Sequence, residues 1–399
     1  MDSSKKRLKV IMLFNRVPYP LNNGGAIAMF SSVKEYVEQN FEVHILSMNT
    51  SKHFVPEQQV QSVFAPYAKI ELVYVPNDIT FTGALLNLFS RHSYILERFI
   101  SKKYDEKLSE ILKNNTYDII HLDALSSLLY IETVRRYSNA KVFYRAQNLE
   151  SQIWKRSISK TRNPVKFLYL KTQVSRLEKF ELNALKKPDV ILTLSLLDED
   201  TFRKNTEVSV IFLPVRILVN STYSDRLEND DIFFIGALDW SPNAEGIEWF
   251  LKYIWPAIAK EFTSIKFYIA GRKMPEWLHR LKSETIIPLG EVKDAKQFML
   301  AHGIMVAPIL TGSGIRIKIM EAMALGKVVI ATTIAAEGLE ATDDVNILIA
   351  NTADQFIEKL TKCRQHTFRK LIGENALRYA TENFSESRLP KVLEQCGFT

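Results

Sequence analysis

Gly312-Ser313-Gly314-Ile315-Arg316-Ile317-Lys318-Ile319-Met320-Glu321 lies just beyond the apolar run Ile304-Met305-Val306-Ala307-Pro308. That order predicts a buried strand stopping at a proline, a flexible glycine turn, and a helix beginning near Ile317. A glycine turn that opens a helix exposes backbone N–H groups, and with the helix dipole behind them these favour a phosphate. Arg316 and Lys318 add positive charge where a diphosphate would lie, and Glu321, about one turn in, is spaced to accept hydrogen bonds from ribose hydroxyls. The stretch is not a Walker loop, since no Gly-Lys-Ser/Thr follows, and Ile317 takes the last glycine position of GxGxxG. On spacing alone, phosphate binding and a plain turn capped by glycines stand as equal alternatives.

Strand–helix alternation extends outward over the whole chain. Leu8–Phe14, Phe41–Met48, Ile70–Val75, Ile119–Leu122, Val142–Tyr144, Val190–Leu194 and Ser209–Leu213 read as strands, with helical patterns such as Phe30–Gln39 and Phe167–Leu185 between them. Around Arg216–Asp230 the texture turns polar and turn-rich, which marks a domain junction. Beyond it the alternation restarts. Ile232–Ile235, Ile265–Ala270, Ile304–Val306, Val328–Ala331 and Ile347–Ile349 read as strands, and Ala244–Ile258, Ile317–Leu325 and Asp354–Lys362 as helices. Two α/β halves with parallel sheets are predicted, facing each other across a cleft where ligands meet the carboxyl ends of the strands.

Gly312 to Glu321, continued by Ala-Met-Ala-Leu-Gly326-Lys-Val-Val-Ile330 and Glu337-Gly338-Leu339, resembles the nucleotide-binding signature of family 4 (group 1) retaining glycosyltransferases. The resemblance implies a GT-B fold of two Rossmann-like domains, a nucleotide-sugar donor, retention at the anomeric carbon, no metal and no cofactor beyond the donor. It gives Glu321 the role of holding the ribose, and Arg316 and Lys318 that of meeting the diphosphate, with Ile315 also at the donor. A further glutamate of the family pattern would fall eight residues before Glu321, where this chain has Ser313, so recognition of the donor sugar is expected to be altered there.

Other segments carry the same resemblance. Pro18-Tyr19-Pro20 running into Asn22-Asn23-Gly24-Gly25 resembles the family's glycine loop at the donor diphosphate; by itself it is an ordinary strand–helix turn. Gly236-Ala-Leu-Asp239-Trp240-Ser-Pro242-Asn243 resembles the opening of the donor domain in one family branch, without the arginine and lysine that many relatives carry nearby. Asp118-Ile-Ile-His121-Leu-Asp123 resembles the strand end beside the reacting sugar, with Asp123 in place of a histidine, which makes His121 and Asp123 candidate catalytic residues. A lone histidine on an apolar strand is equally a core residue. Arg145-Ala-Gln147-Asn148-Leu149-Glu150 resembles a segment facing the cleft and implies acceptor-side roles for Arg145, Asn148 and Glu150. The implied division is 1–215 for the acceptor-binding domain, 216–375 for the donor-binding domain, and 376–399 for a helix returning to the first.

The bulk properties limit the alternatives. A chain of 399 residues, 46% hydrophobic and 24% charged, is globular and long enough for two or three domains. No run approaches the ~20 apolar residues of a membrane span, and Leu8–Phe14 is too short for a signal core, so the expected location is the cytoplasm. Two cysteines without metal-ligand spacing fit a reducing compartment, and seven scattered histidines argue against zinc. Asp198-Glu199-Asp200 fits the metal-binding DxD pattern, but after Ser195 it reads better as a helix first turn. The net charge of +7 admits nucleic acid, anionic lipid or anionic substrates. No nucleic-acid motif is present, whereas Lys166, Lys171 and Arg176 beside Phe167-Leu168-Tyr169-Leu170 allow either an anionic membrane surface or an ordinary amphipathic helix. The resemblance implies a nucleotide-sugar donor and a glycan or lipid-linked saccharide acceptor as partners, and the charge pattern admits an anionic membrane surface on the inner face beside them. Rival functions are a non-catalytic nucleotide-sugar-binding scaffold and a GT-B epimerase, for which no acid/base carboxylate pair is visible.

Overall fold

The computed structural model describes residues 7–158, 163–219, 231–312 and 314–398. Most of the predicted junction, 220–230, and Ser313 lie outside the described residues. The chain divides into two compact units, Met1–Val215 with Arg388–Thr399, and Arg216–Ser387.

In the first unit, β1 (Lys9–Phe14), β2 (Glu42–Thr50), β3 (Lys69–Val75), β4 (Ile119–Asp123), β5 (Lys141–Ala146), β6 (Val190–Thr193) and β7 (Ser209–Phe212) form one sheet in the order β3-β2-β1-β4-β5-β6-β7. All neighbours are parallel. Near-continuous apolar strands are what a parallel sheet covered on both faces requires. Ile11, Leu13, Ile120, Leu122, Val142 and Tyr144 pack against helices Lys102–Asn114 and Ile131–Tyr137. Val10, Met12, Phe14, Ile119 and Phe143 meet helix Gly24–Glu38 and the C-terminal helix Leu389–Gln395. Successive strand residues point to opposite faces, so His121, Asp123 and Arg145 share this second face with Ile119 and Phe143.

The second unit holds β8 (Ile232–Ile235), β9 (Phe267–Ala270), β10 (Ile286–Gly290), β11 (Ile304–Ala307), β12 (Val328–Ala331) and β13 (Leu348–Ile349). Their order is β10-β9-β8-β11-β12-β13, again all parallel. β10 is an element the sequence pattern does not reveal, because Pro288 and Gly290 disguise it. Its place at the sheet edge is what tolerates the proline, and its register slips between those two residues.

Two further differences have local causes. The single helix expected over Ala244–Ile258 is Ser241–Trp249, a widened π-type turn at Phe250–Ile254, and Trp255–Glu261. Pro256 supplies no N–H to the preceding turn, which loosens the ladder there. The expected boundary at 375/376 falls inside helix His366–Phe384, whose buried stripe of Ile372, Ala376 and Ala380 runs straight across it. Unit two therefore continues to Ser387, and Leu389–Gln395 alone supplies the returning helix.

Candidate active-site residues

In each sheet the strand order reverses once, between β1 and β4 and between β8 and β11. At such a switch point the connections leave in opposite directions and open a crevice beyond the strand ends. The loops after β1 and β4, and after β8 and β11, carry the motifs singled out in the sequence.

In unit two, the turn after β11 has Gly312 at φ 99° and Gly314 at φ 81°, backbone positions that strongly favour glycine. Arg316 ends this turn. Its Nη1 donates to the Gly314 carbonyl at 2.7 Å, and its guanidinium lies 5.3 Å from the centroid of the Trp240 ring on the β8 loop. The arginine thus joins both sides of the switch point. Helix Ile317–Ala324 follows and is buried on every face except at Lys318 and Glu321. These two form an ion pair at 2.7 Å, with 20% and 24% of their side chains exposed. A short helix otherwise immersed in the core presents only this charged pair to the outside, and does so one turn from the glycine loop. Ile315 is half-buried beside it.

Gly236 begins the β8 loop. It stands so close to Gly271 at the end of β9 that a Cβ on Gly271 would lie 1.9 Å from the Gly236 carbonyl oxygen. This contact brings in a residue missed by sequence reasoning: Arg272 pairs with Asp239 at 3.2 Å. The available signal was Gly271-Arg272-Lys273 directly after an apolar strand.

In unit one, Asn23 caps helix Gly24–Glu38. Its Oδ1 accepts from Ala26 N at 3.1 Å and from Arg16 Nη2 at 2.9 Å. A Cβ on Gly25 would lie 2.1 Å from Arg16 Nη2 and 3.6 Å from Gln147 Oε1, so this first turn sits directly under those side chains. Gln147 Nε2 donates to Asp123 Oδ1 at 2.6 Å, the other Asp123 oxygen stands 3.8 Å from His121 Nε2, and His121 Nδ1 meets Tyr36 Oη at 3.2 Å. Gly24, Gly25, His121 and Asp123 are therefore linked through Gln147 and Tyr36, of which Tyr36 carried no sequence signal. Burial lowers the His121 pKa against the opposing pull of Asp123, so the imidazole is neutral at neutral pH. Burial raises that of Tyr36.

Directly after Asp123, Ala124 has φ 69° and ψ 155°, a conformation a non-glycine residue adopts at a strain of about 1–3 kcal/mol. Arg145 is fully buried beside this group, and none of its guanidinium nitrogens hydrogen-bonds among the described residues. Asn148 and Glu150 lie at the start of helix Glu150–Ile158, both half-buried. That helix is capped from helix Pro164–Ala184 by Glu181, which accepts from the Glu150 and Ser151 amides at 2.8 and 3.0 Å. Burial, and then Glu181, push the Glu150 carboxyl up to about 7.

The DxD pattern resolves as a cap: Ser195 Oγ accepts from Asp198 N at 3.0 Å, with Asp198 and Glu199 in the first turn of helix Leu196–Arg203. Among the described residues, no helix is long and apolar enough to cross a membrane.

The family model for glycosyl transferases group 1 matches residues 229–366. An uncharacterized 44.6 kDa protein in the cps region of Klebsiella pneumoniae is 25% identical, over 96% of this chain and 97% of that protein. Among solved structures, Anabaena HepE in complex with UDP-glucose superposes with a TM-score of 0.64 at 13% identity, over 97% of this chain and 98% of that one. TarM gives 0.68 at 11% identity over 99% of each chain. Sucrose-phosphate synthase from Thermosynechococcus elongatus gives 0.65 at 14% identity over 98% of each. Residues 229–366 thus match the model for glycosyl transferases group 1, and the two parallel-sheet units each have the fold found in the GT-B glycosyltransferases.

Proposed function

We propose that this protein transfers a sugar, with retention at the anomeric carbon and without a metal, from a nucleotide-sugar to a hydroxyl of a glycan or lipid-linked saccharide. We place it in cell-surface polysaccharide or glycoconjugate synthesis at the cytoplasmic face of the membrane. The observation that carries the donor assignment is the Lys318–Glu321 pair, the sole outlet of an otherwise buried helix beside the Gly312–Arg316 turn. HepE complexed with UDP-glucose and a relative encoded in a cps region support the donor class and the pathway class.

In this mechanism the arriving donor splits the pair. Glu321 accepts hydrogen bonds from the ribose, and Lys318 turns to the diphosphate, where Arg316 and the glycine-turn amides already concentrate positive charge. Charge growing on the leaving diphosphate meets fixed cations and dipoles, which stabilises the transition state more than the ground state. The acceptor hydroxyl attacks the face from which the diphosphate departs and gives its proton to a phosphate oxygen, so no protein nucleophile is required. His121 and Asp123 are assigned to the reacting sugar, where a neutral imidazole can exchange hydrogen bonds with a hydroxyl. The competing reading, a nucleotide-sugar-binding scaffold without turnover, draws on Ser313 and Asp123, which depart from the family pattern.

A panel of nucleotide sugars should raise the melting temperature of the protein for one base and sugar. Glu321→Ala should weaken that ligand roughly 10- to 100-fold, the worth of hydrogen bonds to a charged group. Slow hydrolysis of the same donor by the wild type separates the transferase from the scaffold; binding without turnover over a broad acceptor set would favour the latter.

A further inference from the structure

The segment between β3 and helix Lys102–Asn114 is built inside out. Its short helix Phe81–Leu86 and the turn Asn87–Phe89 display Phe81 and Phe89 at 85% and 90% exposure, with Ile79 and Leu86 above 70%. Asn77, Asn87 and Ser93 are buried beneath them, while Thr80, Thr82, Arg91 and His92 are exposed. Asn87 is enclosed and donates to the His92 carbonyl at 3.0 Å, and its Oδ1 accepts from Gln173 Nε2 at 2.8 Å. Gln173, itself buried, also accepts from Tyr94 N at 2.6 Å, and Arg176 donates to the Asn87 and Leu88 carbonyls at 2.8 and 3.0 Å. A polar base therefore staples the segment to helix Pro164–Ala184 and holds its apolar side outward. Loose loops bury such phenylalanines by collapse; here the hydrogen bonds oppose it, and contiguous exposed apolar groups mark an interaction surface.

The charge around this knuckle is predominantly positive: Arg91, Arg98, Lys166, Lys171 and Arg176 outnumber Asp78 and Glu97, and Glu97 accepts a hydrogen bond from Asn87 Nδ2. Residues 79–96 contain Arg91 and no Asp or Glu, and 163–177 contain Lys166, Lys171 and Arg176 and no Asp or Glu. On the stapled helix Val165 and Leu168 are exposed at 78% and 66%, beside exposed Lys166 and Lys171. Aromatic and aliphatic tips on a rigid base, ringed by lysine and arginine, match the chemistry of an anionic bilayer, whose headgroups take the cations and whose acyl boundary takes the rings. We infer that Phe81, Leu86 and Phe89, with Val165, Lys166, Leu168 and Lys171, form the surface by which this protein docks on anionic lipid. The surface deepens the membrane placement proposed above and includes none of the residues assigned to catalysis.

Sedimentation of the full chain with vesicles tests it. The wild type should pellet with vesicles of equal parts phosphatidylglycerol and phosphatidylcholine, less so at high salt, and remain in solution with phosphatidylcholine alone. Phe81→Ser/Phe89→Ser should lower binding at least about tenfold through lost insertion, and Lys166→Glu/Lys171→Glu through lost attraction. A wild type that ignores anionic vesicles, or a phenylalanine variant that binds as the wild type does, overturns the proposal. So does wild-type self-association in sedimentation velocity that the phenylalanine variant abolishes, since the face would then join two copies. Circular dichroism of the variants should be unchanged, which excludes unfolding as the cause of lost binding. A wild type that binds vesicles but no nucleotide-sugar would sink the transferase proposal and leave this one standing.

Discussion

Glu150 is the residue whose environment departs most informatively from its sequence context. Burial and the neighbouring Glu181 raise its carboxyl from 4.5 to about 7, so the folded chain holds the proton more tightly than the unfolded chain does. Its contribution to stability is complete below about pH 4.5 and is lost as pH rises through about 7. Glu150→Gln, which keeps the shape and removes the charge, should therefore leave stability little changed at about pH 5 and raise it by on the order of 2 kcal/mol at about pH 8. Urea unfolding midpoints at the two pH values check this, and a variant with the wild-type pH dependence refutes it. Lys318 and Glu321 behave differently. Their positions in the turn and helix were legible from spacing, and the structure adds that they pair with each other. Tyr36 was not legible, because its contact with His121 joins residues 85 apart and no local pattern reports a contact of that range.

At the level of elements, the loops after β8 and β9, the first of which is proposed to meet the donor, owe their placement to backbone contact. Gly271 and Gly236 bring the ends of β9 and β8 within reach of each other, and the Asp239–Arg272 pair lies across that contact. Gly271→Ala would drive a Cβ against a carbonyl oxygen that cannot swing aside. It should destabilise unit two by about 1–3 kcal/mol, as overpacking does, and weaken nucleotide-sugar binding in the thermal-shift assay. Wild-type affinity in that variant would show that the β8 loop takes no part in the donor site. Most strands were legible as apolar runs between turn signals, since a parallel sheet buries both faces. β10 was not: an edge strand needs hydrogen bonds along only one side, which frees it to carry a proline. The widened turn before Pro256 was missed for the converse reason, because helix periodicity continues through a local break in the ladder.

On the scale of the whole molecule, the last residues belong to the unit farthest from them in sequence. Leu389, Val392 and Leu393 are buried in the first unit's core, Phe398 meets Phe143 edge-on with centroids 6.2 Å apart, and Lys141 donates to the Cys396 carbonyl at 2.9 Å. Truncation after Ser387 should destabilise the first unit by roughly 1.5–3 kcal/mol for each large apolar side chain removed. Hydrogen exchange should then accelerate in β1, β4 and β5 and stay unchanged in β8 to β12. Equal acceleration in both sheets would contradict the division into units described here.

The sequence by itself determined the alternation of strands and helices, the position of the glycine turn and the charges one turn beyond it. Each of these is a local or periodic pattern, carried by residues a few positions apart. Only the tertiary structure decided which loops meet at the two switch points, that Arg272 stands beside Asp239, that Glu181 caps a helix thirty residues away, and that the phenylalanines of 81–89 face outward from a polar base. Those outcomes depend on strand order and on pairs of side chains distant in sequence, and hydrophobic periodicity is blind to both.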